Sequence, residues 1–368
     1  MSRQCILVDA AVVKPNLGGL RTYIRSLVGA LHERDDVALE IITSRPAEFE
    51  HVPTATIIDT PRATQGFAAR TVWREANLGR MARRTRADVV LIPYPEKTLH
   101  RLAVPSVMVV HDVRAVVAPR YDTRGRRLRF AAALGAACRT ATHVVCVSEF
   151  THMGLDACVR IEPSRVSVIG EAGSAQITRV ERSSVAPGTR PYAFYVGSLM
   201  PHKNVDTLVR AFALGGLDLD LVLAGPATAA ERHRLDGLID QLGCRDRVRH
   251  LGWIDDTELG RRYGAATVVV IPSLHEGFGL PVIEAMQLGV PVVASDIPAF
   301  REVAGGHASL VRHPLDPSSW RDALATVDGT EADRVSKARS WASGMSWVDV
   351  ADQFVKLFDE LRPGGEKR

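Results

Sequence analysis

The stretch at residues 268–296, VVVIPSLHEGFGLPVIEAMQLGVPVVASD, leaves few folds open to this chain. Two runs rich in β-branched residues, 268–271 and 291–294, have the content of parallel strands buried on both faces. The segment between them, with Glu284, Met286 and Leu288, has the length of one helix, so the whole reads as a βαβ unit. Between first strand and helix, Glu276-Gly277-Phe278-Gly279-Leu280-Pro281 supplies glycines for a tight backbone path and a proline suited to the first helical position. Unpaired amides and partial positive charge gather at a helix start, so the amides of Gly277, Phe278, Gly279 and Leu280 could hold an anionic diphosphate. Glu284, expected in the first turn, would reach a neighbouring sugar.

At 368 residues the chain exceeds one ordinary core, and two domains of roughly 150–200 residues each are the default. A hydrophobic share of 46% fits a soluble globular protein. No apolar run reaches the roughly 18–20 residues of a membrane-spanning helix, and residues 1–4 lead into a strand without a signal-peptide core. The expected location is the cytoplasm. Five scattered cysteines, without C-x-x-C spacing, suggest neither a disulfide framework nor zinc and read as small core residues.

Residues 6–11 form an apolar strand, followed by Asn16-Leu17-Gly18-Gly19 and a helical pattern through Leu20, Tyr23, Ile24, Leu27, Val28 and Leu31, which opens a Rossmann-like unit. The loop lacks G-x-G-x-x-G, and no acidic residue follows a second strand at the right distance, which weighs against a dinucleotide cofactor. Further strands are expected at 39–43, 89–92, 107–110, 144–147 and 166–169. His111 closes the fourth of these six, at the carboxyl end where open α/β sheets place ligand groups. Asp112 and Ser148 read as helix caps. The polar stretch 174–190, with Pro and Gly, reads as a linker. A second α/β series then runs through 192–196, 219–224, 248–251, 268–271, 290–294 and 309–311. The expected organisation is an N-terminal domain at 1–180, a C-terminal domain at 181–345, and a last segment at 346–368. In that segment Trp347, Val350, Ala351, Phe354, Leu357, Phe358 and Leu361 recur at helical spacing ahead of a disordered tail at 363–368.

Glu276 and Glu284, separated by seven residues inside EGFGLPVIEAM with GVPVVAS following, resemble the signature of the retaining GT-B glycosyltransferases of the glycogen-synthase-like, family 4 type. The segment GSLMPHKN at 197–204 is similar to that of bacterial mannosyltransferases. The resemblance implies an α/β fold with two Rossmann-like parallel-sheet domains facing a central cleft and a C-terminal helix crossing back to the N-terminal domain. It implies transfer, with retention, of a hexose-like unit, mannose first, from a GDP- or UDP-linked sugar to an acceptor hydroxyl. The sugar nucleotide is then a substrate, and no cofactor is expected. Family chemistry implies same-face attack, with the departing phosphate helping to take the acceptor proton. Glu276 would contact the transferring sugar, Glu284 the nucleotide ribose, and His111 the sugar near its reacting carbon. Gly18 and Gly19 would approach the donor phosphates, Lys203 would stabilise the departing diphosphate, and Ile254 in GWIDD would pack beside the base. Many members carry arginine where this chain has Ser198, a departure for which His202 or another basic residue could compensate. A non-catalytic GT-B subunit, or an epimerase or phosphorylase of the same fold, is the alternative.

A metal-dependent transferase of the other common architecture needs a D-x-D site. Asp218-Leu219-Asp220 matches only by letter, at the entrance to a strand, so no metal is expected. The net charge of +4 hides an asymmetry: residues 1–180 hold 25 Lys and Arg against 17 Asp and Glu, and 181–368 hold 21 against 25. By composition the basic half could face an anionic acceptor, a membrane surface or nucleic acid; the resemblance implies a glycan, lipid-linked or small-molecule acceptor and no nucleic acid. Arg124, Arg126, Arg127 and Arg129 crowd one helix start, where peripheral membrane contact is an expectation.

Overall fold

The strand runs of the sequence emerge as two separate parallel sheets in the computed structural model, which describes residues 3–15, 17–95, 100–178, 180, 190–327 and 332–362. The chain divides into one unit of residues 1–171 with 347–368, and a second of residues 172–346.

In the first unit, β1 (Gln4–Asp9), β2 (Val37–Thr43), β3 (Thr56–Asp59), β4 (Val89–Ile92), β5 (Ser106–Val110), β6 (His143–Cys146) and β7 (Val166–Val168) pair in the order β3-β2-β1-β4-β5-β6-β7. The central strands VVLI, SVMVV and HVVC are buried along their whole length, which is why they read as unbroken apolar runs rather than alternating ones. β3 is a correction to the sequence reading, which finds six strands here. It is a four-residue edge strand, TIID, with both ends exposed, and such a position demands no apolar run.

The helix Trp347–Glu360 belongs to this unit and packs on the helix Gly19–His32. Its apolar stripe buries Phe354 and Phe358 completely, and Trp347 meets Tyr23 edge-on at 5.3 Å between centroids. Each such side chain contributes roughly 1.5–3 kcal/mol by leaving water. Phe354→Ala would cost more, about 3–5 kcal/mol, because the surrounding helices close a cavity only in part. Arg34 pairs with Asp352 and Gln4 Nε2 donates to Asp359 at 3.2 Å along the same contact.

In the second unit, β8 (Tyr192–Val196), β9 (Asp220–Ala224), β10 (Val248–His250), β11 (Val268–Ile271), β12 (Val292–Ser295) and β13 (Ser309–Val311) pair in the order β10-β9-β8-β11-β12-β13. Both sheets therefore reverse strand order beside their first strand, between β1 and β4 and between β8 and β11. Connections leave such a point in opposite directions and open a crevice beyond the carboxyl ends, where ligands of open α/β sheets bind.

Within the stretch read as a linker, Ala175–Thr178 forms one helical turn whose Ile177 is buried, packed on the helix Asp256–Ala265. Residues 179 and 181–189 of that stretch, and the tail 363–368, lie outside the described residues. Among the described residues no helix is long and apolar enough to cross a membrane. All five cysteines are free, and burial pushes the Cys138 and Cys146 thiols up to about 12, which suits packing and not nucleophilic chemistry.

Candidate active site

The loops that follow β8 and β11 flank the switch point of the second sheet, and they carry Lys203 and Glu276. Pro201–Lys203 makes a single 3-10 turn. Asn204 ends it in the left-handed region at φ 55°, a conformation that short amide side chains tolerate. It is pinned there by its own side chain, which donates to the Pro314 carbonyl at 2.7 Å and accepts from Thr207 Oγ1 at 2.7 Å. The two loops are then joined twice: Leu274 N donates to the His202 carbonyl at 2.7 Å, and Lys203 Nζ donates to Glu276 Oε1 at 2.5 Å.

This pair stays partly open, with side-chain exposures of 22% for Lys203 and 19% for Glu276, so an incoming ligand can compete for either group. Burial by itself raises the Glu276 carboxyl, but the charge and hydrogen bond of Lys203, helped by Ser273 and His202, hold it below the ordinary glutamate value. Tyr195 lies beneath: its hydroxyl donates to the Ser198 carbonyl at 2.6 Å, and burial followed by the nearby Glu276 charge drives the phenol well above its usual range. A neutral donor thus holds the backbone at Ser198.

Glycines let three successive strand ends approach this region. Gly197 N donates to Ala224 O and Gly225 N to Gly252 O. Gly225 has φ 139°, and a Cβ there would lie 2.1 Å from the Gly197 carbonyl oxygen. Beyond Gly252, Trp253 is exposed and Ile254 half-buried before Asp255 caps the next helix by accepting from Glu258 N.

After β11 the chain reaches Gly279, the N-cap of the helix Leu280–Gln287, at φ 122°. A side chain at 279 would meet the Phe300 ring at 2.8 Å, so both conformation and space require glycine. The same glycine brings no capping side chain to the helix start. Phe278 and Leu280 are buried and seat the turn. Two expectations are corrected here. Pro281 occupies the second helical position, not the first, and Glu284 lies just beyond the first turn, because the helix already begins at Leu280, one residue ahead of Pro281. Glu284 is buried and accepts a hydrogen bond from Tyr263 at 2.9 Å, while burial and then the Glu284 charge push the Tyr263 phenol far up.

In the first unit Gly18 caps the helix Gly19–His32 with φ 64° and ψ −138°. Among the described residues nothing lies within 4 Å of a Cβ built there, so it is backbone conformation that demands glycine. His111 follows β5, and both ring nitrogens are engaged: Nδ1 faces Glu171 at 2.9 Å and Nε2 the Pro93 carbonyl at 2.9 Å. Asp112 accepts from Arg114 N, but the N-cap of the short helix Arg114–Val117 is Val113, which corrects the cap expected at Asp112; Ser148 caps Glu149–Asp156 by accepting from Thr151 N.

Asp218 and Asp220 are both held by arginines, Asp218 by Arg190 and Asp220 by Arg190, Arg247 and Arg249. Among the described residues no group of three or more His, Cys, Asp or Glu could hold a metal ion. The arginine cluster is divided: buried Arg114 and exposed Arg126 converge on Asp122, Arg127 is half-buried, and Arg124 and Arg129 remain exposed beside Leu128. The sequence reading missed Glu171, Tyr195, Gly225 and Tyr263 as members of these clusters.

Two family models match the chain, "Glycosyltransferase Family 4" over residues 17–171 and "Glycosyl transferases group 1" over residues 176–339. The O-antigen chain mannosyltransferase B of Escherichia coli is 30% identical over 290 residues, covering 71% of this chain and 72% of that relative. Among solved structures, sucrose-phosphate synthase from Thermosynechococcus elongatus is similar with a TM-score of 0.78 at 22% identity, over 98% of this chain and 99% of that one. Anabaena HepE, solved with UDP and glucose, is similar with a TM-score of 0.75 at 19% identity, over 98% of this chain and 100% of that one. With its two parallel-sheet α/β units and these matches, the chain belongs to the family 4 glycosyltransferases of GT-B fold.

Proposed function

We propose that this glycosyltransferase moves a hexose, mannose first, with retention of configuration, from a GDP- or UDP-linked sugar to a hydroxyl of a glycan, lipid-linked or small-molecule acceptor, without a metal ion. The observation that carries the reading is the meeting of Lys203 and Glu276 at the switch point of the second sheet. Lys203 is a compact cation that a diphosphate can draw away from Glu276, and its charge then opposes the negative charge that grows on the departing phosphate. Glu276, released from Lys203, is an ionised acceptor for sugar hydroxyls. The start of the helix Leu280–Gln287 adds amides and the positive end of a dipole to the same phosphate. Glu284, oriented by Tyr263, is assigned to the ribose, Ile254 to the base, Gly18 and Gly19 to the donor phosphates, and His111 to the transferring sugar. Ser198 offers no cation, and His202, buried and close enough to Glu276 to help lower its carboxyl, is assigned as the compensating group. Mannose is favoured because the E. coli relative is named as a mannosyltransferase.

A thermal-shift screen of GDP-, UDP- and ADP-sugars tests donor binding. A ligand at a hundredfold its dissociation constant stabilises by about 2.7 kcal/mol, so the true donor base raises the melting temperature and the others do not. No shift with any of them would remove the donor assignment.

Peripheral contact with an anionic membrane belongs to the same reading. Exposed Arg124 and Arg129 flank Leu128, which is 62% exposed. Each basic residue near such a surface contributes about 1 kcal/mol, so the effect is weak and salt-sensitive. Cosedimentation with anionic and neutral vesicles at low and moderate salt measures it. Equal binding to both, or binding unchanged after neutralising Arg124, Arg126, Arg127 and Arg129, would favour a soluble acceptor.

A further inference from the structure

Glu171 follows β7 at the end of the first unit's N-terminal segment, with a side chain only 5% exposed. Its Oε1 lies 2.9 Å from His111 Nδ1, and the ring's Nε2 lies 2.9 Å from the Pro93 carbonyl oxygen. A carbonyl oxygen only accepts, so Nε2 carries a hydrogen; an ionised carboxylate also only accepts, so the ring satisfies both partners when both nitrogens are protonated. Tyr23 stands edge-on to the imidazole at 4.4 Å and walls off one side. Burial, with the charge of Glu171 behind it, pushes the Tyr23 phenol well up, so this neighbour stays neutral beside the ring.

The two contacts of the ring are unequal. Separating Nδ1 from Glu171 would leave a buried carboxylate without its hydrogen-bond donor, whereas the Pro93 carbonyl is a neutral acceptor that exchanges at smaller cost. The ring keeps 18% of its surface open, so a ligand can reach it without unpacking the sheet.

We propose that Glu171 is a positioning residue for the transfer, anchoring His111 through Nδ1 while the Pro93 carbonyl holds the place on Nε2 that a hydroxyl of the transferring sugar takes. The proposal rests on the assignment of His111 to the sugar made above. Glu171 itself touches no substrate; it sets the orientation and the proton of the group that does.

The test is a double-mutant cycle on donor turnover, with donor affinity and melting temperature measured in parallel and the imidazole nitrogens of His111 followed by 15N NMR. Glu171→Ala is expected to lower turnover on the order of 10²-fold, the scale of a misplaced reacting contact. Donor affinity should be retained, and Glu171→Gln, which keeps the shape, should lose less. In the His111→Ala background Glu171→Ala should add nothing, and in Glu171→Gln the Nδ1 resonance should move. If Glu171→Ala costs the same factor with and without His111, Glu171 acts on the fold and the proposal is overturned. If His111→Ala is slow but the Glu171 variants are not, this proposal fails and the parent reading stands. If His111→Ala turns over normally, the assignment of His111 fails and takes this one with it.

Discussion

Lys203 Nζ and Glu276 Oε1 meet at 2.5 Å although 73 residues separate them, because the first follows β8 and the second β11, the adjacent strands at which the second sheet reverses order. Each group thus answers the other's charge.

Removing either partner should therefore affect both chemistry and stability. Lys203→Ala and Glu276→Ala are each expected to lower turnover by about 10²-fold or more, the scale of a lost preorganised electrostatic contact. Lys203→Ala should also destabilise by roughly 1–3 kcal/mol, because Glu276 is left largely buried without its cation. The double variant should lose less stability than the two single losses added, and urea unfolding of the four proteins measures this coupling.

The pair also sets a pH window. Glu276 titrates below its ordinary value of 4.5 in the folded chain, so its contribution to stability is fully present above that value and is lost as pH falls through the lower, folded-state value. Wild type and Glu276→Gln should differ by a constant amount from neutral pH down to about 5 and converge at more acid pH. A gap that widens on acidification would mean that the carboxyl is not held low by Lys203.

Glu284 and Tyr263 should govern donor affinity more than turnover. Tyr263→Phe removes one hydrogen bond to a charged group, about 1.5–3 kcal/mol at most, and should raise the donor KM by roughly tenfold with little change in kcat. A fall in kcat at unchanged KM would place Glu284 at the reacting centre instead.

Much of this site was legible because it is local. The β11 strand, the glycine turn and the following helix occupy one short run, and β-branched content, glycine and proline mark each part. The same holds for His111 at the end of β5. What escaped is non-local: Glu171 lies 60 residues from His111, and Tyr263 lies 21 from Glu284 on another helix, so no spacing rule joins them. β3 escaped for a different reason, since an edge strand with exposed ends carries no apolar run. Glu284 reads as a first-turn residue when proline is the first helical residue, whereas the glycine N-cap at 279 lets the helix begin one residue earlier, at Leu280.

Gly279 offers a test of that turn. Gly279→Ala sets a side chain at φ 122° and against Phe300, and should destabilise by about 1–3 kcal/mol while weakening donor binding. Thermal melting with and without donor reads both effects. An alanine variant with normal stability would show that the turn tolerates a Cβ.

Proton NMR of the protein incubated with GDP-mannose or UDP-glucose, without acceptor and with EDTA, bears most directly on retaining, metal-independent transfer. The expected result is slow release of the nucleoside diphosphate, with the first free sugar in the same anomeric configuration as the donor, and the release abolished in Lys203→Ala and Glu276→Ala. Release of the opposite anomer, release that requires added manganese, or equal release by the two variants would contradict it.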